Sequence, residues 1–169
     1  MRRAVIILAL AATPALAETP EARLTAAGYM LPVPTKPVAT YVTAVESGNL
    51  LFLSGHGECD QTLKTGTVGA ELTLEEGRAS ATRVGLCMLA TIKAAVGDLS
   101  RVKRFVRVLG MVNATPEFTQ HPQVINGFSD LMVVAFGEGG KAARAAVGVA
   151  SLPGDIPVEI EATVELQPR

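Results

Sequence analysis

The chain has 169 residues, a formal net charge of −1 and no long basic run. That length suits one domain, and a near-neutral balance excludes the concentrated positive surface that nucleic-acid binding needs. Arg101, Lys103, Arg104 and Arg107 do cluster, but on a predicted strand, where they read as a solvated face.

Residues 1–17 have the anatomy of a secretory signal peptide. Arg2 and Arg3 precede an apolar run from Ala4 to Ala12, Thr13-Pro14 breaks it, and Ala15-Leu16-Ala17 forms an A-x-A cleavage site before Glu18. The run is too short to span a bilayer, which takes about 20 apolar residues. The mature chain is therefore expected to start at Glu18, in the periplasm or secreted, with no membrane contact once the signal is removed. No later stretch is expected to cross a membrane. Residues 18–39, with Pro32, Pro34 and Pro37, read as an extended lead-in to one domain over 40–169.

Strands are predicted over 41–46 and 50–54, joined at Ser47-Gly48-Asn49, where Gly and Asn tolerate positive φ. A glycine-rich loop follows over 55–72. Within it, His56, Glu58 and Cys59 are possible metal donors, but a zinc site takes three or four ligands and no metal is expected. Two cysteines, Cys59 and Cys87, would permit a disulfide in an oxidising compartment. Cys87 lies inside a predicted helix beside Val84 and Met88, so a buried free thiol is the expectation. Thr73-Leu74-Glu75-Glu76 is a capping box. It opens a helix running to Val96, with Gly97 as its stop. Ala81, Val84, Met88, Ile92 and Ala95 make its apolar stripe, while Gly77 and Gly85 point to close packing against a sheet.

A buried strand is predicted over 102–112. His121-Pro122 opens a second helix, with proline near its first position and Val124, Phe128, Leu131, Met132 and Ala135 as inner face. Strands follow over 143–150 and 156–166, with a turn at 151–155. In the last strand Ile156, Val158, Ile160, Ala162, Val164 and Leu166 point one way, and Pro157, Glu159, Glu161, Thr163 and Glu165 the other. The element order implies an α+β layer, a mixed β-sheet with two helices packed on one face. A symmetric oligomer would cover the other face.

The segment from Arg144 to Glu161 reads as a β-hairpin, with a lone arginine on one arm and alternating acids on the other. An arginine fork matches a carboxylate bidentately, and a partly desolvated glutamate can act as general base toward water. The residues alone leave a second reading open, an ion pair between Arg144 and Glu159 or Glu161. Ser54 lacks a G-x-S-x-G elbow, and Gly55-His56-Gly57 lacks the third glycine of a phosphate loop.

Tyr41, the block Gly48-Asn49-Leu50-Leu51-Phe52-Leu53-Ser54-Gly55, Lys64-Thr65-Gly66, Arg144, Leu152-Pro153 and Val158-Glu159-Ile160-Glu161-Ala162 together resemble the YjgF/Rid family. These are reactive intermediate deaminases, also labelled endoribonuclease L-PSP. With Val124-Ile125-Asn126-Gly127 in the second helix, the chain is most similar to the YjgF/chorismate-mutase-like branch. The resemblance implies a chorismate-mutase-like fold, a homotrimer with intersubunit clefts, and hydrolysis of small enamines and imines to 2-keto acids and ammonia without a cofactor. By position, Arg144 matches the arginine that clamps the substrate carboxylate and Glu159 the glutamate that handles water. Tyr41, Ser54, Gly55, His56 and Asn126 match cleft positions. Ala145-Ala146 stands where Ser-Cys is frequent and His56 where a glutamine often follows Ser-Gly. These departures leave the clamp intact and bear on the substrate. Other functions to be weighed are a trimeric carboxylate-binding protein without turnover and an endoribonuclease, the latter disfavoured by neutral charge and export.

Overall fold

The computed structural model describes residues 18–34, 36–37, 39–59 and 64–168. The expected signal peptide lies outside the described residues. The elements in chain order are α1 (Pro20–Ala26), β1 (Ala44–Ser47), β2 (Leu50–His56), α2 (Leu74–Val96), β3 (Val102–Asn113), α3 (His121–Phe136), β4 (Ala143–Val149) and β5 (Val158–Leu166). The five strands form one mixed sheet in the order β1-β2-β5-β3-β4.

The lead-in is not extended throughout. Thr19 accepts the amide of Ala22 through its hydroxyl at 3.1 Å, and Pro20 starts a short helix behind it. A capped Thr-Pro start favours a helix because the missing proline N–H would have no partner there anyway. Leu24 carries α1 into the core at 1% exposure.

The capping box of α2 forms as expected, with Glu76 N–H donating to Thr73 Oγ1 at 3.2 Å and Thr73 N–H to Glu76 Oε2 at 2.9 Å. Gly97, at φ +90°, ends the helix. Ala81, Val84, Met88 and Ile92 are buried, and Ala95 is exposed. Among the described residues, α2 alone has the length and apolar content of a membrane span, yet more than half of that stretch is buried inside the fold. Gly77 and Gly85 admit α3 rather than the sheet. A Cβ at Gly85 would meet Leu131, Met132 and Phe128, and one at Gly127 of α3 would run into the Arg78 carbonyl. The two helices therefore cross with backbone nearly touching backbone.

The expected hairpin between β4 and β5 does not form. The chain crosses over through α3, so β4 pairs in parallel with β3, while β5 pairs antiparallel with the other edge of β3. A helical crossover is what parallel neighbours require. The intervening residues 150–157 pass the end of β3. They turn at Gly154 and at Asp155, a non-glycine residue with positive φ (57°). Alternation holds over β5 itself, where Val158, Ile160, Ala162, Val164 and Leu166 are buried under the helices and Glu159, Glu161, Thr163 and Glu165 face away, but it does not extend back to 156–157: Pro157 is buried and Ile156 lines the same cleft as Glu159. The face away from the helices also carries Phe52 and Val147, each about half exposed.

Candidate functional site

The first half of the site is built by β2 and β5. Their register runs Leu53↔Ala162 and then His56↔Ile160, so β2 has one extra residue between these pairs. Strict alternation would put His56 on the same face as Ser54. The bulge turns it over. His56 is 3% exposed on the helix side, with Nδ1 2.7 Å from the Ser54 carbonyl and Nε2 3.0 Å from Thr91 Oγ1 on α2. The expectation that His56 lines the cleft is therefore corrected. A carbonyl only accepts, so Nδ1 carries the proton and Nε2 accepts from the threonine hydroxyl. Burial lowers the histidine pKa, against the opposing effect of the Ser54 contact, and keeps the ring neutral.

The same bulge puts Gly55 directly beneath Glu159. A Cβ at Gly55 would overlap the Glu159 carboxylate, so any larger residue would push this carboxylate out of its present seat. Tyr41, Ser54, Gly55, Gly57, Pro153 and Glu159 line a cleft of about 500 Å³. Burial pushes the Glu159 carboxyl above its ordinary value, and the neighbouring Glu161 charge adds to the effect. Tyr41, Ser54, Gly55 and Glu159 are thus brought together as the sequence suggested.

The second half is built by β4 and α3. The Arg144 guanidinium lies along α3: Nη1 donates to Asn126 Oδ1 at 3.0 Å and to Ser129 Oγ at 2.9 Å, and Nη2 to the Pro122 carbonyl at 3.4 Å. Positions 122, 126 and 129 share one helical face. Ser129 was not singled out from sequence, although its place three residues beyond Asn126 on that face was a usable signal. Arg144 lines a groove of about 290 Å³ with Phe128, Ser129, Val133 and Lys141.

These halves do not meet within one chain. Arg144 lies in register with Val108, and Val108 with Ala162, a row on the helix side in which Val108 and Ala162 are buried. Glu159 lies in register with Met111, and Met111 with Val147, a row on the open side. Arg144 and Glu159 therefore project from opposite faces of the sheet, with β3 between their strands. An ion pair between them across the two strands of one chain is therefore not made.

The remaining motifs have structural partners. Cys59 and Cys87 form a disulfide with a Cα–Cα distance of 5.7 Å, which corrects the expectation of a free thiol. The loop leaving β2 doubles back over α2, a proximity that helical context alone does not reveal. Glu58, with only 1% of its side chain exposed, pairs with Arg83 (Oε1 to Nη2 2.9 Å). The histidine, glutamate and cysteine of the 56–59 segment are thus each held by α2, and no group of three or more metal-donor side chains occurs among the described residues.

Comparison with known proteins places this geometry. The family model described as "YjgF/chorismate_mutase-like, putative endoribonuclease" matches residues 21–156. The chain belongs to this YjgF family. Protein TCP17 of Trypanosoma cruzi is 44% identical over 152 residues, which cover 86% of this chain and 92% of that protein. The crystal structure of a "putative endoribonuclease" from Shewanella oneidensis MR-1 is 33% identical, covers 88% of this chain and 99% of its own, and superposes with a TM-score of 0.84. RidA from an Antarctic Psychrobacter species is 27% identical over 79% of this chain and 94% of its own, with a TM-score of 0.55. This YjgF-family chain thus shares the expected chorismate-mutase-like fold and superposes more closely on the Shewanella protein than on this RidA.

Proposed function

We propose that the protein is an exported enamine/imine deaminase that hydrolyses small 2-imino acids to 2-keto acids and ammonia in clefts between the subunits of a homotrimer. The observation that carries this reading is the Glu159 carboxylate, partly stripped of water and seated over Gly55 in a cleft with Tyr41 and Ser54. Such a carboxylate is a suitable base for water attacking a polarised C=N carbon. Arg144, held on α3 by Asn126 and Ser129, supplies the clamp for the substrate carboxylate.

The reaction balances without a redox partner. Water adds to C2 of the protonated imine while Glu159 takes a water proton. The carbinolamine nitrogen takes that proton back from Glu159, the C–N bond breaks, and the hydroxyl proton passes to Glu159 and on to the departing ammonia, leaving the 2-keto acid and ammonium. Because Arg144 and Glu159 sit on opposite sheet faces, the clamp comes from one copy and the base from its neighbour. A two-copy site fits the symmetric assembly argued from the half-exposed Phe52 and Val147. Export is supported by the signal-like residues 1–17 and by the Cys59–Cys87 disulfide, because disulfides persist in oxidising compartments.

A second reading, carboxylate binding without turnover, is favoured by the clamp alone, whose helix contacts are complete within one copy. One experiment separates the two. Purified protein is added to freshly generated 2-aminoacrylate and keto-acid release is followed. Faster release that disappears in Arg144→Ala supports the deaminase. Thermal stabilisation by small carboxylates, lost in Arg144→Ala and unaccompanied by turnover of any imino acid, supports the binder.

A further inference from the structure

Three side chains of the segment 56–59 are anchored to α2, and the anchors lie on one line of the helix. His56 meets Thr91 (3.0 Å), Cys59 is bonded to Cys87, and Glu58 pairs with Arg83. Positions 83, 87 and 91 are four residues apart, so they stack on a single helical face. The Cys87 sulfur also accepts the Cys59 amide at 2.9 Å. The tethered segment is continuous with the base half of the cleft. Ser54, Gly55 and Gly57 line that cleft, and His56 holds the Ser54 carbonyl across the bulge at 2.7 Å. None of these contacts reaches Arg144, which is held by α3.

We infer that this stripe of α2 sets the geometry of the base half of the cleft. His56 and the Cys59–Cys87 disulfide act as positioning residues, fixing the bulge on which Glu159 rests, so that the competence of the site depends on the disulfide. The inference rests on the deaminase reading for its consequence in catalysis and on the contacts alone for its structural part. His56 takes no part in the chemistry. It fixes a backbone conformation that puts glycine under the carboxylate. Removing the disulfide loosens Ser54 to Cys59 and leaves the arginine clamp in place.

Two readouts on the full chain test it. Amide hydrogen exchange is measured for the oxidised protein, for protein reduced with a phosphine reductant (opening verified by thiol count), and for Thr91→Val. Keto-acid release from 2-aminoacrylate is measured on the same samples. The expected result is faster exchange confined to 54–59, by at least roughly tenfold. It should be accompanied by a fall in kcat of about tenfold to a hundredfold, the scale of a misplaced reacting group. KM, set by the arginine half, should change little. Thr91→Val tests the histidine anchor with the disulfide intact and should give a smaller effect in the same segment. Unchanged exchange and unchanged kcat after verified reduction would overturn the inference. So would faster exchange spread over the whole sheet, which would mean that the disulfide serves global stability alone. If the wild-type protein turns over no imino acid, the deaminase reading fails, while the exchange pattern still decides whether α2 holds the bulge.

Discussion

A carboxylate that must take a proton from water gains basicity when it is partly desolvated and set beside a like charge, and Glu159 meets both conditions. The same environment opposes folding. With its folded pKa raised, Glu159 retains its proton where the unfolded chain has lost it. Its contribution is fully present below the ordinary glutamate value and is lost as pH rises through the raised one. Glu159→Gln is therefore expected to lower kcat by about two to four orders of magnitude and at the same time to raise the melting temperature at neutral pH. The gain in stability should fade as pH falls through the raised value and be absent below about pH 4.5. In the wild type, the acid limb of kcat/KM should lie above the ordinary glutamate range. A neutral-pH melting temperature lower in the variant than in the wild type would contradict this account of Glu159. At this scale Arg144, Glu159, Tyr41, Ser54, Gly55 and Asn126 were legible because short motifs carry them. His56 was not, because one inserted residue in β2 reverses its face, and nothing in the local pattern marks the insertion.

Elements are set here by how closely their backbones approach. Gly127 brings α3 against the Arg78 carbonyl of α2, with Thr82 Oγ1 donating to the Gly127 carbonyl at 3.1 Å. Since α3 carries Asn126 and Ser129, this crossing also fixes the arginine clamp. Gly127→Ala is expected to destabilise the fold by about 1–3 kcal/mol, the usual cost of overpacking, as read by urea denaturation. It should also weaken carboxylate binding, because the helix must back away from its seat. The limits of α2 and α3, the capping box and the buried face of β5 could be read from the sequence, since each rests on local periodicity or a local signal, while α1 was hidden in a proline-rich lead-in. Strand partners could not. The arms on either side of Leu152-Pro153 look like a hairpin to any local test, and only the crossover through α3 shows that β3 intervenes. The disulfide escaped for the same reason, because it depends on where a loop returns.

The whole molecule follows from the placement of the two charged groups. One sheet presents Arg144 with its helices and Glu159 on its bare side, so one copy does not bring the two together, and the proposed site takes one from each of two copies. Apolar side chains on that bare side, Phe52 and Val147 among them, leave a surface suited to a second copy. The most direct measurement is subunit complementation. Arg144→Ala and Glu159→Gln proteins are each purified, mixed in equal amounts, and allowed to exchange subunits, with exchange confirmed by mass spectrometry of the native assembly. Each parent is expected to be inactive. In the mixture, an intact cleft forms wherever a subunit with its arginine meets a neighbour with its glutamate, so random assembly should restore about a quarter of the wild-type rate. If subunits exchange and the mixture stays as inactive as its parents, Arg144 and Glu159 do not share a cleft across an interface, and the composite site is contradicted.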